Sequence, residues 1–85
     1  MKIHIPSPLR SYTHSHEVEV HGETLAEALA VLDRQFPGIR FRVVNEQDRI
    51  REHIKFFVNE KSVSDIFIRL EKNDAIHIVC ALSGG

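Results

Sequence analysis

Near its C-terminus the chain carries an apolar run that alternates, Ala75-Ile76-His77-Ile78-Val79-Cys80-Ala81-Leu82, followed by Ser83-Gly84-Gly85. Alternation of this kind predicts a β-strand, with Ile76, Ile78 and Cys80 on one face and His77 and Val79 on the other. A strand this apolar and this late in 85 residues must pair with strands upstream of it. Met1-Lys2-Ile3-His4-Ile5 alternates in the same way, so the first and last strands are candidates to lie together in the middle of one sheet. The residues after the final strand are informative too. A terminal strand ordinarily ends in polar or charged residues, whereas this one ends in two glycines. Glycine has no Cβ and tolerates backbone angles that other residues do not. A Gly-Gly tail can therefore thread a narrow channel and carry its carboxylate into another protein's active site. The alternative is an ordinary frayed end.

Between these strands the pattern changes period. Pro6 and Pro8 stop the first strand, because proline donates nothing to a ladder, and residues 7–15 read as turn. Glu17-Val18-Glu19-Val20 alternates again and predicts a second strand, in a hairpin with the first, with Val18 and Val20 inward. Thr24-Leu25-Ala26-Glu27 has the form of a capping box, and Leu25, Ala28, Leu29, Leu32 and Phe36 come after it at helical spacing. Pro37-Gly38 ends that helix. Residues 39–53 are irregular and charged. Loop with one short helical turn is expected there, with Phe41, Val43, Val44 and Ile50 docking on the core. Ile54, Phe56 and Val58 predict a strand face, Lys55 and Phe57 its opposite, and Asn59-Glu60-Lys61 a polar turn. Residues 66–70 read as a short strand or an irregular segment. Glu71-Lys72-Asn73-Asp74 reads as a turn in which Asn73 can supply a positive φ. The order β, β, α and further strands predicts an α+β roll, a mixed sheet with one main helix packed across its face.

Eleven basic and twelve acidic residues leave a net charge of −1, mixed along the chain and not interleaved with aromatics, so nucleic-acid binding is not indicated. No apolar stretch is long enough to span a membrane and no signal-peptide pattern opens the chain. The single Cys80 cannot form an intramolecular disulfide, which makes a reducing cytoplasm the expected location. With no Trp and one Tyr, the core has to be built from Ile, Leu and Val. One domain of 85 residues is expected, with a body at 1–82 and a flexible Gly-Gly tail at 83–85.

Several stretches resemble the MoaD/ThiS family of sulfur carriers, within the ubiquitin-like β-grasp proteins. Ile5-Pro6-Ser7-Pro8-Leu9-Arg10 is similar to the end of that family's first strand and its Leu-Arg. Thr24-Leu25 opens the helix in the family's way, Val58-Asn59-Glu60 matches its Val-Asn turn, and the stretch from Leu70 through Asp74 to Ile76 resembles its Leu-x-x-Gly-Asp-x-Val. The opening and the insertion before Ile54 look most like the cysteine-biosynthesis carriers. Asn73 stands where Gly is common. Cys80 stands where Pro is common, which implies either a looser tail or pairing carried one residue further. The resemblance implies a β-grasp roll and a carrier that is not itself an enzyme. An ATP-dependent, ubiquitin-activating-type partner would adenylate the Gly85 carboxylate, Gly84 completing the tail. A persulfide sulfurtransferase or sulfide would supply sulfur, and the resulting thiocarboxylate would pass it to a biosynthetic enzyme for cysteine, molybdopterin, thiamine or another product. The carrier would bind no cofactor; ATP belongs to the partner. Two alternatives stay open, a ubiquitin-like modifier conjugated through Gly85 and the small subunit of molybdopterin synthase. The sequence names neither the sulfur acceptor nor whether Gly85 is produced by processing.

A partner needs a docking surface. In the strand register above, His4, Phe57, His77 and Val79 project from the face opposite the helix, and with Leu82 they form the expected docking patch. The competing expectation is that an irregular segment covers this face and makes Phe57 core. Six histidines without HExxH or zinc spacing read as surface groups rather than metal ligands. Cys80 reads as a small buried core residue rather than a nucleophile.

Overall fold

The first and last strands lie side by side. In the computed structural model, which describes residues 1–81, β1 (Lys2–His4) runs parallel to β5 (Ala75–Cys80), with Ile3 opposite Ile76 and His4 opposite His77. The other edge of β5 carries β3 (Ile54–Val58), antiparallel. β2 (Glu17–Glu19) flanks β1 and β4 (Lys61–Val63) flanks β3, giving the order β2-β1-β5-β3-β4. The most apolar strand is thus central. Ile3, Phe56 and Ile76 point to one side of it and are fully buried.

Three helices complete the order: α1 (Arg10–Thr13) after β1, then α2 (Leu25–Gln35) and α3 (Ile39–Val43) after β2. Helix α2 covers that buried side of the sheet. Its stripe of Leu25, Ala28, Leu29 and Leu32 is fully buried in one cluster with Ile5 and the strand residues Ile3, Phe56, Ile76 and Ile78. Each such leucine contributes about 1.5–3 kcal/mol of transfer free energy. The start of α2 is closed from two directions. The Glu27 N–H donates to Thr24 Oγ1 at 3.2 Å, and Glu27 Oε1 accepts from the Glu23 N–H at 2.9 Å, as the capping box predicts. The Leu25 and Ala26 N–H groups donate to the carbonyls of Ile68 and Ile66. Residues 66–70 are therefore irregular, apart from one bridge between Thr24 and Arg69. Their carbonyls satisfy donors that every helix start leaves open.

Gly22 makes the close turn into this start. At its φ of 157°, a Cβ would lie 2.8 Å from both the Ala28 nitrogen and the Glu27 Cβ. Gly22→Ala is expected to destabilise the domain by about 1–3 kcal/mol, the usual cost of overpacking. A thermal melt measures it, and an unchanged midpoint would contradict this packing.

Four expectations need correction. Residues 7–15 are not simple turn: a 3-10 turn at Ser7–Leu9 leads into α1. Pro8 suits a first helical turn, Leu9 is buried beneath it, and Arg10 Nε donates to the Ile5 carbonyl at 3.0 Å. Strand β4 was not anticipated, because its exposed Lys61 and Ser62 show no apolar alternation. It forms because Asn59 (φ 50°) and Glu60 (φ 74°) make a tight two-residue hairpin turn, shorter than the expected one. Asn73 does not take a positive φ. Asp74 closes that turn instead, its Oδ2 accepting from the Glu71 N–H at 2.7 Å and its Oδ1 from Asn59 Nδ2. Finally, Phe41 does not join the core. Because α3 is helical, Ile39 and Val43 face inward at i and i+4 and Phe41 is 56% exposed. Val44 is buried and Ile50 partly so, as expected.

Strand β5 pairs as far as Cys80 opposite Ile54, and the Ala81 N–H donates to the His53 carbonyl at 2.8 Å. The pairing is thus carried one residue past Cys80, by the N–H of Ala81. No helix among the described residues is long and apolar enough to cross a membrane.

Candidate functional site, a sheet face and the root of the tail

The face of the sheet away from α2 carries one continuous row of side chains. Strand register aligns Glu17, His4, His77, Phe57 and Ser62 across β2, β1, β5, β3 and β4. Val79 and Lys55 form the next pair along β5 and β3. The row exists because successive residues of a strand point to opposite faces: Ile3, Ile76 and Phe56 go down into the core, and their neighbours His4, His77 and Phe57 come up. His4, His77 and Phe57 are half-buried and Val79 is 40% exposed. The structure therefore brings four of the expected docking residues together on the face of the sheet away from α2. Leu82, Gly84 and Gly85, the rest of the expected site, lie outside the described residues.

Two features of this face were not read from the sequence. The His4 and His77 rings stack with centroids 4.2 Å apart and 4° between planes. Glu17 joins them: its Oε2 lies 3.8 Å from His4 Nδ1, and its Oε1 accepts from Lys2 Nζ at 3.3 Å. The signal was present as a repeated triplet, Ile3-His4-Ile5 and Ile76-His77-Ile78. A parallel in-register pairing of those triplets puts the imidazoles side by side. The face is polar on the β1–β2 side and apolar around Phe57 and Val79. Among the described residues no group of three His, Cys, Asp or Glu side chains is arranged to hold a metal ion.

Cys80 is half-buried, less enclosed than the core position expected for it. Burial pushes its thiol pKa up, and the nearby Arg42 charge pulls against that. A raised pKa disfavours the thiolate that reactivity would need.

A five-stranded mixed sheet with its last strand central and a helix across one face, ending in a Gly-Gly sequence, defines a ubiquitin-like β-grasp protein. The ThiS family model matches residues 3–85, and the chain belongs to that family. A chain of the Amycolatopsis orientalis BexX/CysO complex superposes with a TM-score of 0.91 at 27% identity, covering 99% of this chain and 98% of that one. Mycobacterium tuberculosis CysO superposes at 0.89 and 22%, covering 95% and 98%. Small archaeal modifier protein 1 from Methanosarcina acetivorans superposes at 0.82 and 20%, covering 99% and 94%. The last two likenesses speak for the fold. No curated protein matches the chain in sequence. The chain is thus a member of a family of sulfur carriers and ubiquitin-like modifiers.

Proposed function

We propose that this protein is a sulfur carrier that works through a thiocarboxylate at Gly85. The observation that carries this reading is a family match running through the terminal Gly-Gly to residue 85. The chemistry starts from what a carboxylate lacks. It is a poor acyl donor until one oxygen becomes a good leaving group. In the partner's site the Gly85 carboxylate attacks the α-phosphorus of ATP and pyrophosphate departs. Sulfide then attacks the acyl carbon, AMP leaves, and a thiocarboxylate remains. With a protein persulfide as donor, the same attack gives an acyl disulfide, which a thiol cleaves by reduction. The carrier contributes no acid, base or metal. Its folded body is the handle by which enzymes recognise the tail. ATP and the sulfur donor belong to the partners, and the cytoplasm is the compartment that suits a free thiol and a reduced sulfur donor.

The likeness to a CysO chain, together with the Pro6-Ser7-Pro8-Leu9-Arg10 opening, favours cysteine biosynthesis as the sulfur's destination. The likeness to a small archaeal modifier supports a second reading, conjugation of Gly85 to lysines of other proteins. Both begin with adenylation. Intact mass spectrometry tests the first. After incubation with ATP, sulfide and the cognate adenylating enzyme, a species about 16 Da heavier is expected, with the change at Gly85. A mass that stays at the plain carboxylate counts against the carrier reading. Higher-mass conjugates in cells would support the modifier instead.

The row of His4, His77, Phe57 and Val79 is the proposed docking face for the adenylating partner. Phe57 anchors it, since a partly exposed aromatic on the same face as Val79 offers apolar area that a partner can cover. Phe57→Asp is expected to raise the partner concentration needed for half-maximal thiocarboxylation by about tenfold, equivalent to about 1.4 kcal/mol of binding. Its circular dichroism spectrum should match the native one. Loss of the folded spectrum would show instead that Phe57 belongs to the core.

A further inference from the structure

Beside the point where the chain leaves β5 lies a cationic cleft. Arg42 and His53, both exposed, line two adjoining hollows. One, of about 170 Å³, is bounded also by Leu9, Cys80 and Ala81. The other, of about 280 Å³, is closed by Phe41 and Arg51. Arg51 is fixed in place: its Nε donates to the Phe41 carbonyl at 2.7 Å, and its guanidinium sits 4.5 Å from the centroid of the Phe41 ring. Arg42 has no ion pair among the described residues, and its charge is felt at the Cys80 thiol. No acidic side chain lines either hollow. Of the acidic residues in the same stretch of chain, Asp48 is engaged with Arg40 at 2.7 Å, and Glu52 lines a separate hollow with Arg51. In a protein of net charge −1, this is a local excess of positive charge around an exposed aromatic ring.

We infer that this cleft is a second docking surface, taken by a carboxylate-bearing segment of the partner that receives the tail. Arg42 and Arg51 would pair with its acidic side chains, and Phe41 would be covered by it. The inference rests on the carrier reading above and adds the chemistry of the partner. Four residues come after Ala81 in the sequence, and fully extended they reach about 14 Å. A partner that brings an active site to Gly85 therefore stands within that distance of Ala81, which itself lines the cleft. The planar guanidinium fork matches carboxylates in two-point geometry. Arginine and aromatic side chains together are the residue types that concentrate binding energy at interfaces.

The test uses the full chain with its adenylating enzyme. Affinity is measured calorimetrically without ATP, and thiocarboxylation is followed by mass with ATP and sulfide, both at low and high salt. The variants are Arg42→Glu, which changes an exposed side chain only, and the double variant R42E/R51E. A weakening of affinity by about tenfold is expected in the double variant and a smaller loss in the single one. The maximal thiocarboxylation rate at saturating enzyme should be preserved, and the native protein's advantage should shrink as salt screens the charges. Equal affinities at every salt concentration would overturn the inference. So would faster thiocarboxylation by the variants, which would assign the cleft to the chain's own carboxylate. If native protein binds the enzyme but no thiocarboxylate forms, the carrier reading fails while the affinities still judge the cleft.

Discussion

Removal of Gly84 and Gly85 is expected to abolish thiocarboxylation and leave the fold untouched. The deletion shortens the tail by about 7 Å. Misplacing a reacting group by only about 1 Å already costs about 10²-fold. The rate should therefore drop by at least that factor, below detection in an intact-mass assay. Stability is expected to be unchanged, because the buried core and the pairing of β5 with β1 and β3 are built from residues that the deletion leaves in place. A thermal melt and the mass assay on the same sample separate the two effects. Gly84→Val is a companion variant: it keeps the length but adds a branched side chain, so it tests whether the tail must pass through a narrow channel. If both variants are thiocarboxylated like the native protein, the chemistry does not depend on Gly-Gly and its assignment to Gly85 fails.

Where the sequence was legible, one dominant force set the local pattern. Strand β5 and helix α2 each bury a continuous apolar face, so period alone placed them, and the Thr24–Glu27 cap added a local hydrogen bond that leaves a clear signature. The pairing of β1 with β5 was legible for the same reason. What escaped reading was held by interactions with no periodicity. Strand β4 is an exposed edge whose existence depends on two positive φ angles at Asn59 and Glu60. The 66–70 segment, left open between short strand and irregular chain, is irregular, fixed by carbonyls given to a helix start far away in sequence. Phe41 was misplaced because its apolar character was weighed without the helical phase that turns it outward. The candidate site divides along the same line. Alternation put His4, His77, Phe57 and Val79 on one face, but the stacking of the imidazoles needed the register, and the cleft of Arg42, Arg51 and His53 needed tertiary structure.

Phe56 and Phe57 let that alternation be tested directly, since they are chain neighbours on opposite faces of β3. Phe56 is 0% exposed and its strand partner Ile78 is buried with it. Phe56→Ala is expected to cost about 3–5 kcal/mol, for the lost transfer energy and the cavity left behind. Domains of this size are stable by about 5–15 kcal/mol in all. At about 4–8 °C per kcal/mol, the melting midpoint should fall by roughly 12–40 °C, and a less stable domain would unfold at ambient temperature. Phe57, half-buried over the opposite face, should show the reverse profile: a small change in midpoint and a large loss of activation by the partner. A shift of one residue in the β3–β5 register would exchange the two phenotypes, because it would move every side chain of β3 to the other face. Melting curves and activation assays on the two alanine variants thus test the register and the docking face together. If both variants unfold, the face opposite α2 is buried by something other than a partner, and the row from His4 to Phe57 is not a docking surface.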